Sequence, residues 1–321
     1  MTNLQIELPS GFLSEEEKVL RVSTETKAIW AVELDLLQEL MRVCRKHDIK
    51  FFGISGTLIG AARHKGFIPW DDDIDVVMLR SEYDKFAKIA QDEFRHPYFF
   101  QTDFNDPESV RGHPKIRNSE TTAIDKSEMI GDKARYNFNQ GAWLDIFILD
   151  NIPDDIKERA AFSSEMAKLK RRTRWIRHFR WCARNWRMLL FRRGIISAMI
   201  GMVVLCIEKL SRMDLLLHAN MKLDRHAQRY NSCKCKWCAP VATSSAMLRH
   251  EVFKVSDFEC SVELPFEILK IPVPANYEEV LCRSFGNWRK HVVGTSTHGG
   301  VLYDVERTYK KYLLSSGAGG R

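Results

Sequence analysis

A secretory leader is not expected: the opening, MTNLQIELPSGFLSEEE, is acidic and has no long apolar core. The chain also lacks a disulfide framework, because its eight cysteines are scattered without even spacing. Both absences predict a reducing, cytoplasmic setting. No membrane span is expected either. Gly194 to Ile207 runs fourteen residues without a charge, and as a helix that is about 21 Å against a hydrocarbon core of roughly 30 Å. Extending it upstream meets Arg192 and Arg193. Acid is absent from one long stretch: Lys168 to Arg193 holds eleven Lys or Arg and no Asp or Glu, in a chain of net charge +7. The basicity is therefore one patch, and the remainder of the chain is mildly acidic. What is present is apolar material, 321 residues at 45% hydrophobic, enough for one elaborated domain or two.

The stretch that organises the chain is Phe51 to Val76, FFGISGTLIGAARHKGFIPWDDDIDV. An apolar strand-like pair leads into a small-residue turn (Gly53, Ser55, Gly56, Thr57), then a helix-compatible LIGAAR, and finally four aspartates within five residues. Read as a strand after Pro69, Asp71, Asp73 and Asp75 share one face at intervals of about 6.5 to 7 Å, with Asp72, Ile74 and Val76 on the other. Neighbouring carboxylates of that kind suit a hard divalent cation, Mg2+ or Mn2+, that also takes phosphate oxygens. The bland alternative is a solvated acidic edge, against which Ile74, Val76, Val77 and Met78 require burial. The turn admits a phosphate close to backbone N–H groups, Ser55 and Thr57 add hydroxyls, and Arg63 and Lys65 add positive charge. Alone, Ser-Gly-Thr before a helix is a plain N-cap.

Two further segments carry candidate chemistry. Lys115 and Arg117 alternate in KIR and project from one strand face, either toward phosphates or toward solvent. Trp143 to Leu149 reads as a buried strand with one acid, Asp145, whose desolvation demands a partner or a metal. Asp150 and Asp154 mark the strand's exit and receive no chemistry.

The order strand, Gly-Ser turn, helix, Asp-x-Asp strand resembles the polymerase-β-type nucleotidyltransferase fold. The string GTLIGAARHKGFIPWDDDID resembles the signature of the LicD family, phosphotransferases related to lipopolysaccharide choline-phosphotransferase and more distantly to the fukutin group. KIRNSETT (Lys115 to Thr122) and WLDIFILD (Trp143 to Asp150) resemble two further family segments, and Leu264 to Trp288 with a later His298 is a weaker match. The resemblance implies an α+β fold, a mixed sheet flanked by helices with a basic helical insertion. It implies an enzyme that transfers a phosphorylated alcohol, such as phosphocholine, from a CDP-linked donor to a sugar hydroxyl of a surface glycan or its lipid-linked precursor. Asp73, Asp75 and Asp145 would be catalytic and would hold Mg2+ or Mn2+, Asp145 as ligand or as base. Ser55, Gly56, Thr57, Arg63, Lys115 and Arg117 would brace the donor's phosphates. The alternative is a nucleotidyltransferase moving a nucleoside monophosphate onto a small molecule or protein; a non-enzymatic adaptor with a degenerate catalytic domain is a third reading, which the intact acids oppose.

Around this centre, residues 1–155 read as the catalytic core with its N-terminal helices, 156–230 as the helical insertion, and 231–315 as an α+β segment completing the core. SEEEKVL from Ser14 predicts a capped helix, whose apolar spacing continues through Val43. Within 168–207, cations interleave with Trp175, Phe179, Trp181, Trp186 and Phe191 ahead of the apolar run, the make-up of a helix lying on anionic lipid. That places the protein peripherally on the inner face of the cell membrane; a nucleic-acid patch is the lesser rival, and a solvated hairpin or an oligomer interface are the plain alternatives. Cys233, Cys235 and Cys238 include one C-x-x-C pair, with His226, His250 and Cys260 as the residues in reach, and a structural role without zinc is favoured. Pro272 and Pro274 set a turn, a helix runs from Tyr277 to Gly286, Tyr277 and Trp288 read as packing residues, and the tail SSGAGGR as disordered.

Overall fold

The computed structural model describes residues 4–17, 21–110, 112–186, 195–243, 251–292 and 300–313. Phe191, His250, His298, the SSGAGGR tail and the end of the basic run lie outside them. Among the described residues the fold is α+β, as expected. The first helix is the first departure. Glu16–Glu17 (β1) and Arg21–Val22 (β2) pair antiparallel, so Ser14 caps nothing. Arg21 instead pairs with Glu15 across that hairpin, and the cap falls to Ser23, whose hydroxyl accepts from the Thr26 N–H at 3.2 Å. Helix α1, Thr24–Lys46, follows, with Glu25 in its first turn and Arg45 and Lys46 in its last, the charge order its dipole favours.

After α1 come Phe52–Gly53 (β3), Ser55–Ile59 (α2), Asp75–Leu79 (β4), Arg80–Glu93 (α3), Tyr98–Gln101 (β5), Lys115–Asn118 (β6), Thr122–Asp125 (β7), the small hairpin Met129–Ile130 and Lys133–Ala134 (β8, β9), and Ala142–Ile152 (β10). The helical segment comprises Ile156–Arg184 (α4), Ile195–Ser211 (α5) and Leu215–Ala227 (α6). The chain closes with Trp237–Ala239 (β11), Phe253–Lys254 (β12), the hairpin Ser261–Phe266 and Leu269–Pro274 (β13, β14), Tyr277–Phe285 (α7) and Val301–Asp304 (β15).

Seven strands form the central sheet, in the order β12-β11-β10-β4-β3, with β6 also on β10 and β5 on β6. Strand β10 is its spine. Its first residues pair antiparallel with β6, its middle runs parallel to β4, and its end pairs antiparallel with β11. Such a strand is buried on both faces, which explains the nearly continuous apolar run of WLDIFIL. Trp30, Leu34, Leu37 and Leu40 of α1 and Phe266, Ile271 and Val273 of the β13–β14 hairpin join the core around this sheet.

Helices α4 and α6 share a second core with the sheet's far edge, formed by Phe162, Met166, Leu223 and Ala227 with Ile152, Ala239, Val241 and Val252. Asp155 caps α4, accepting from the Lys157 and Glu158 N–H groups at 2.9 Å each. Helix α5 lies against α4 so closely that a Cβ on Gly201 would overlap the Phe179 carbonyl oxygen. Part of the basic run has an internal task the sequence did not reveal. Arg177 binds Glu128 and the Glu108 and Ser109 carbonyls, Arg180 binds Asp214 at 2.9 Å, and Arg184 pairs with Glu108. Among the described residues no helix is long and apolar enough to cross a membrane. Cys238 is buried in β11 with its thiol toward the Phe253 carbonyl at 3.7 Å, whereas Cys233 is exposed and Cys235 half-buried.

Candidate active site

Strand alternation does not assemble the aspartates. Strand β4 begins only at Asp75, and Asp71 to Ile74 are irregular. The segment is pinned by donors from distant elements: the Trp30 indole N–H to the Asp71 carbonyl at 2.8 Å, the Tyr303 hydroxyl to the Asp72 carbonyl at 3.5 Å, and the Asp145 N–H to the Ile74 carbonyl at 3.0 Å. The first two bonds give the Asp71 and Asp72 carbonyls to side chains while the third is the first rung of the β4–β10 ladder, so the strand expected over Asp71–Val77 is cut short at its start.

Register across strands does the gathering. In the parallel β4–β10 pair Asp75 stands opposite Asp145, and in the antiparallel β6–β10 pair Asp145 stands opposite Lys115. One row across three strands thus reads Asp75, Asp145, Lys115. Asp73 reaches in from the irregular segment, and one carboxylate oxygen from each of Asp73, Asp75 and Asp145 lies within 4.8 Å of the others. Asp71, Asp72 and Asp73 form an adjoining group of the same tightness.

The two facing carboxyls are shifted in opposite directions. Burial, and then the charges of Asp73, Asp145 and Asp71, push the Asp75 carboxyl well above the usual range. Burial acts on Asp145 in the same sense, but Lys115 and His113 outweigh it and hold its carboxyl below the usual range. Asp145 Oδ1 accepts from Lys115 and from His113 Nε2 at 2.8 Å, and Oδ2 accepts from the Trp143 indole N–H at 2.9 Å. Behind the group sits Glu33 of α1, 1% exposed, with Oε2 lacking a hydrogen-bond partner. Burial and then Asp73, Asp145 and Asp72 raise its carboxyl well above the usual range.

Two cavities meet on this wall. The smaller, about 310 Å³, is lined by Asp73, Asp75 and Asp145 on one side and by His113, Lys115, Arg117, Phe138 and Trp143 on the other. The larger, about 560 Å³, shares Asp73, Asp75 and Phe147 and continues past Ser55, Gly56, Trp70, Asp71, Glu251 and Phe285. Lys115 and Arg117 therefore face the same space, as their alternation predicts. Arg117 also donates to the Gln101 amide oxygen and the Gly141 carbonyl, both at 2.6 Å, which fixes its guanidinium.

Three of the residues expected to brace phosphates also have contacts within the fold, and of these Gly56 lines the larger cavity. Thr57 is buried and its hydroxyl accepts the Asp75 N–H at 2.8 Å, so it positions β4. Gly56 lets Asp71 Oδ2 approach the backbone, and a Cβ there would push that carboxylate aside. Arg63 lines neither cavity; it donates to the Trp288 and Lys290 carbonyls at 2.8 and 3.2 Å, tying the turn after α2 to the segment after α7. Helix α2 has only five residues before a π turn at Gly60–His64, too short for a strong helix-dipole contribution. Ser55 adopts φ 53 and lines the larger cavity.

His113 and Trp143 are site residues that the sequence reading missed. The signal was available: His113, Lys115 and Arg117 continue one period-two pattern, as do Trp143 and Asp145. Tyr303 and Glu33, held to the site by α1 and β15, carried no local signal.

Oxygen-only ligands of this spacing fit Mg2+ or Mn2+ rather than a softer metal, and the crowding that drives Asp75 toward its protonated form is the imbalance a bound cation would relieve. An α+β protein with a carboxylate group at a parallel strand pair and a basic wall across a cavity is the class that fold and site define. Residues 48–179 match the family described as LicD/FKTN/FKRP, nucleotidyltransferase domain. The chain is 27% identical over 258 residues to the lipopolysaccharide cholinephosphotransferase LicD of Haemophilus influenzae, covering 80% of this chain and 88% of that one. Shorter matches, each 38% identical, join it to uncharacterized proteins of Rickettsia typhi (22% of each chain) and Rickettsia prowazekii (25% of this chain, 29% of the other). The chain carries a LicD-family domain.

Proposed function

We propose that the protein is a phosphotransferase that moves a phosphorylated alcohol, such as phosphocholine, from a CDP-linked donor to a sugar hydroxyl of a lipopolysaccharide-type glycan or its lipid-linked precursor. The observation that carries this reading is the convergence of Asp73, Asp75 and Asp145 within reach of one ion beside Lys115 and Arg117. The similarity to the Haemophilus influenzae cholinephosphotransferase supports the class of reaction and of acceptor. Asp73, Asp75 and Asp145 would hold Mg2+ or Mn2+, which when bound neutralises the diphosphate and stabilises departing CMP. Lys115 and the braced Arg117 orient the phosphate oxygens, so that an acceptor hydroxyl attacks in line while the bond to CMP breaks. Asp145 accepts two hydrogen bonds on Oδ1 and one on Oδ2, which leaves Oδ2 a lone pair for an ion, and its lowered pKa suits ligation better than general-base work.

Incubation with CDP-choline, CDP-ribitol and CDP-glycerol, with and without chelator, tests the reading through released CMP. Chelator-sensitive release from one donor is expected, and near-normal turnover by Asp73→Asn or Asp75→Asn would remove the metal role. The nucleotidyltransferase alternative, which the matched domain's description favours, predicts CMP attached to the acceptor instead of free.

The acceptor's lipid link is the reason to expect peripheral docking on the membrane's inner face. Helix α5 turns Ile196, Met199, Ile200, Val203, Ile207 and Leu210 outward, a stripe at helical spacing, and Lys168, Arg171, Arg172 and Arg174 are exposed on the adjoining α4. Apolar insertion beside cations fits an anionic lipid surface, whereas nucleic acid would use the exposed Trp175 and the cations but not the aliphatic stripe.

A further inference from the structure

Resting on the transfer reading, we propose that the larger cavity receives the cationic end of the donor alcohol, a quaternary ammonium, while the donor's phosphates lie toward Lys115 and Arg117. The two cavities share the Asp73–Asp75 wall, but their remaining linings have opposite character. The smaller carries Lys115, Arg117 and His113. Among its described lining residues the larger has no Lys, Arg or His, and adds Asp71 and Glu251 to the shared acids. A second phosphate is repelled there. A polyol could bond to the acids and to Ser55, Thr243 and Ser284, but it leaves the rings of Trp70, Phe147, Phe253 and Phe285 without a matching group. A quaternary ammonium has no N–H to donate, and its recognition depends on the two things this cavity offers, aromatic faces and carboxylate charge. Glu251 also faces Lys170 of α4, so the four rings are the main determinants. The volume is within the usual range for small-molecule pockets.

The test is calorimetric titration of the intact protein in Mg2+ with phosphocholine and with 3,3-dimethylbutyl phosphate, in which carbon replaces the charged nitrogen at nearly the same size. At least tenfold tighter binding of phosphocholine is expected. Phe285, 48% exposed at the end of α7, can be cut back without opening the core, so Phe285→Ala should reduce the preference to under threefold with the melting curve unchanged. Trp70→Leu should reduce the preference likewise, with some loss of melting temperature because Trp70 packs against the main core. Equal binding of the two ligands, binding of neither, or a preference that survives both substitutions overturns the assignment. CMP release from CDP-ribitol or CDP-glycerol without any preference for phosphocholine sinks the cavity's role and leaves transfer standing. A preference lost in both variants, with no CDP-alcohol consumed, sinks transfer and leaves the cavity standing.

Discussion

Lys115 is a built-in counter-charge for Asp145: it pairs with the carboxylate, and its ammonium sits 4.5 Å from the centre of the Trp143 ring. Both partners are buried, so deleting one strands the other in a poorly solvating interior. Lys115→Met should therefore cost about 3–5 kcal/mol in urea unfolding, and millimolar Mg2+ should restore more stability to that variant than it adds to the parent. Equal gains in the two proteins would count against a cation at these acids. Lys170 gives a separate pH signature. Burial is the main cause that lowers its ammonium from 10.5 to about 8, opposed by Glu251 and aided by Arg174. Between those values the unfolded chain holds a proton that the fold does not, so this residue makes stability rise with pH from about 8 toward 10.5. Lys170→Met should be the more stable protein at neutral pH, and the difference should shrink across that window; melting curves at matched ionic strength measure it.

At the scale of elements, β10 shows what was legible and what was not. Its apolar run and lone acid announced a buried strand whose carboxylate needs a partner, and Asp75 stood out beside the apolar Val76, Val77 and Met78. Their meeting was not readable, because it depends on a parallel register between residues 70 apart in sequence, Asp75 and Asp145, and no local pattern encodes a register. The same holds for Asp150. It marked only a strand's end, yet it accepts Arg80 through two bonds of 2.7 and 2.9 Å and also Asn231 at 2.7 Å, stapling α3 and the turn after α6 to the sheet. Asp150→Ala leaves the Arg80 guanidinium buried beside only Asp84 and Asp224, and should lower stability by about 3 kcal/mol, a loss that denaturant titration would register. Helix caps were misread for a related reason. Ser14 and Ser23 are both acceptable caps, and the pairing of Glu16–Glu17 with Arg21–Val22 leaves only Ser23 at a helix start.

For the molecule as a whole, the question is why a chain with two sound cores leaves so much of α5 uncovered. Ile196 is 68%, Val203 58% and Leu210 86% exposed, while the opposite face is committed to α4 through Gly201 and Ala198. Dispersed surface apolars need no explanation, but a helical stripe of six does. Arg177, Arg180 and Arg184 are spent on the fold, so any lipid attraction falls to Lys168, Arg171, Arg172 and Arg174, at about 1 kcal/mol per cation near an anionic surface. Binding to phosphatidylglycerol-containing vesicles should then exceed binding to pure phosphatidylcholine vesicles, and it should weaken as salt shortens the screening length from about 10 Å at 0.1 M. Val203→Glu with Leu210→Glu should reduce co-sedimentation at least tenfold, yet leave CMP release from a soluble donor unchanged, because neither side chain lines a cavity. Binding that ignores both lipid charge and this substitution would move the docking face elsewhere, and a parent dimer that the substitution converts to monomer would assign the stripe to a second copy of the chain.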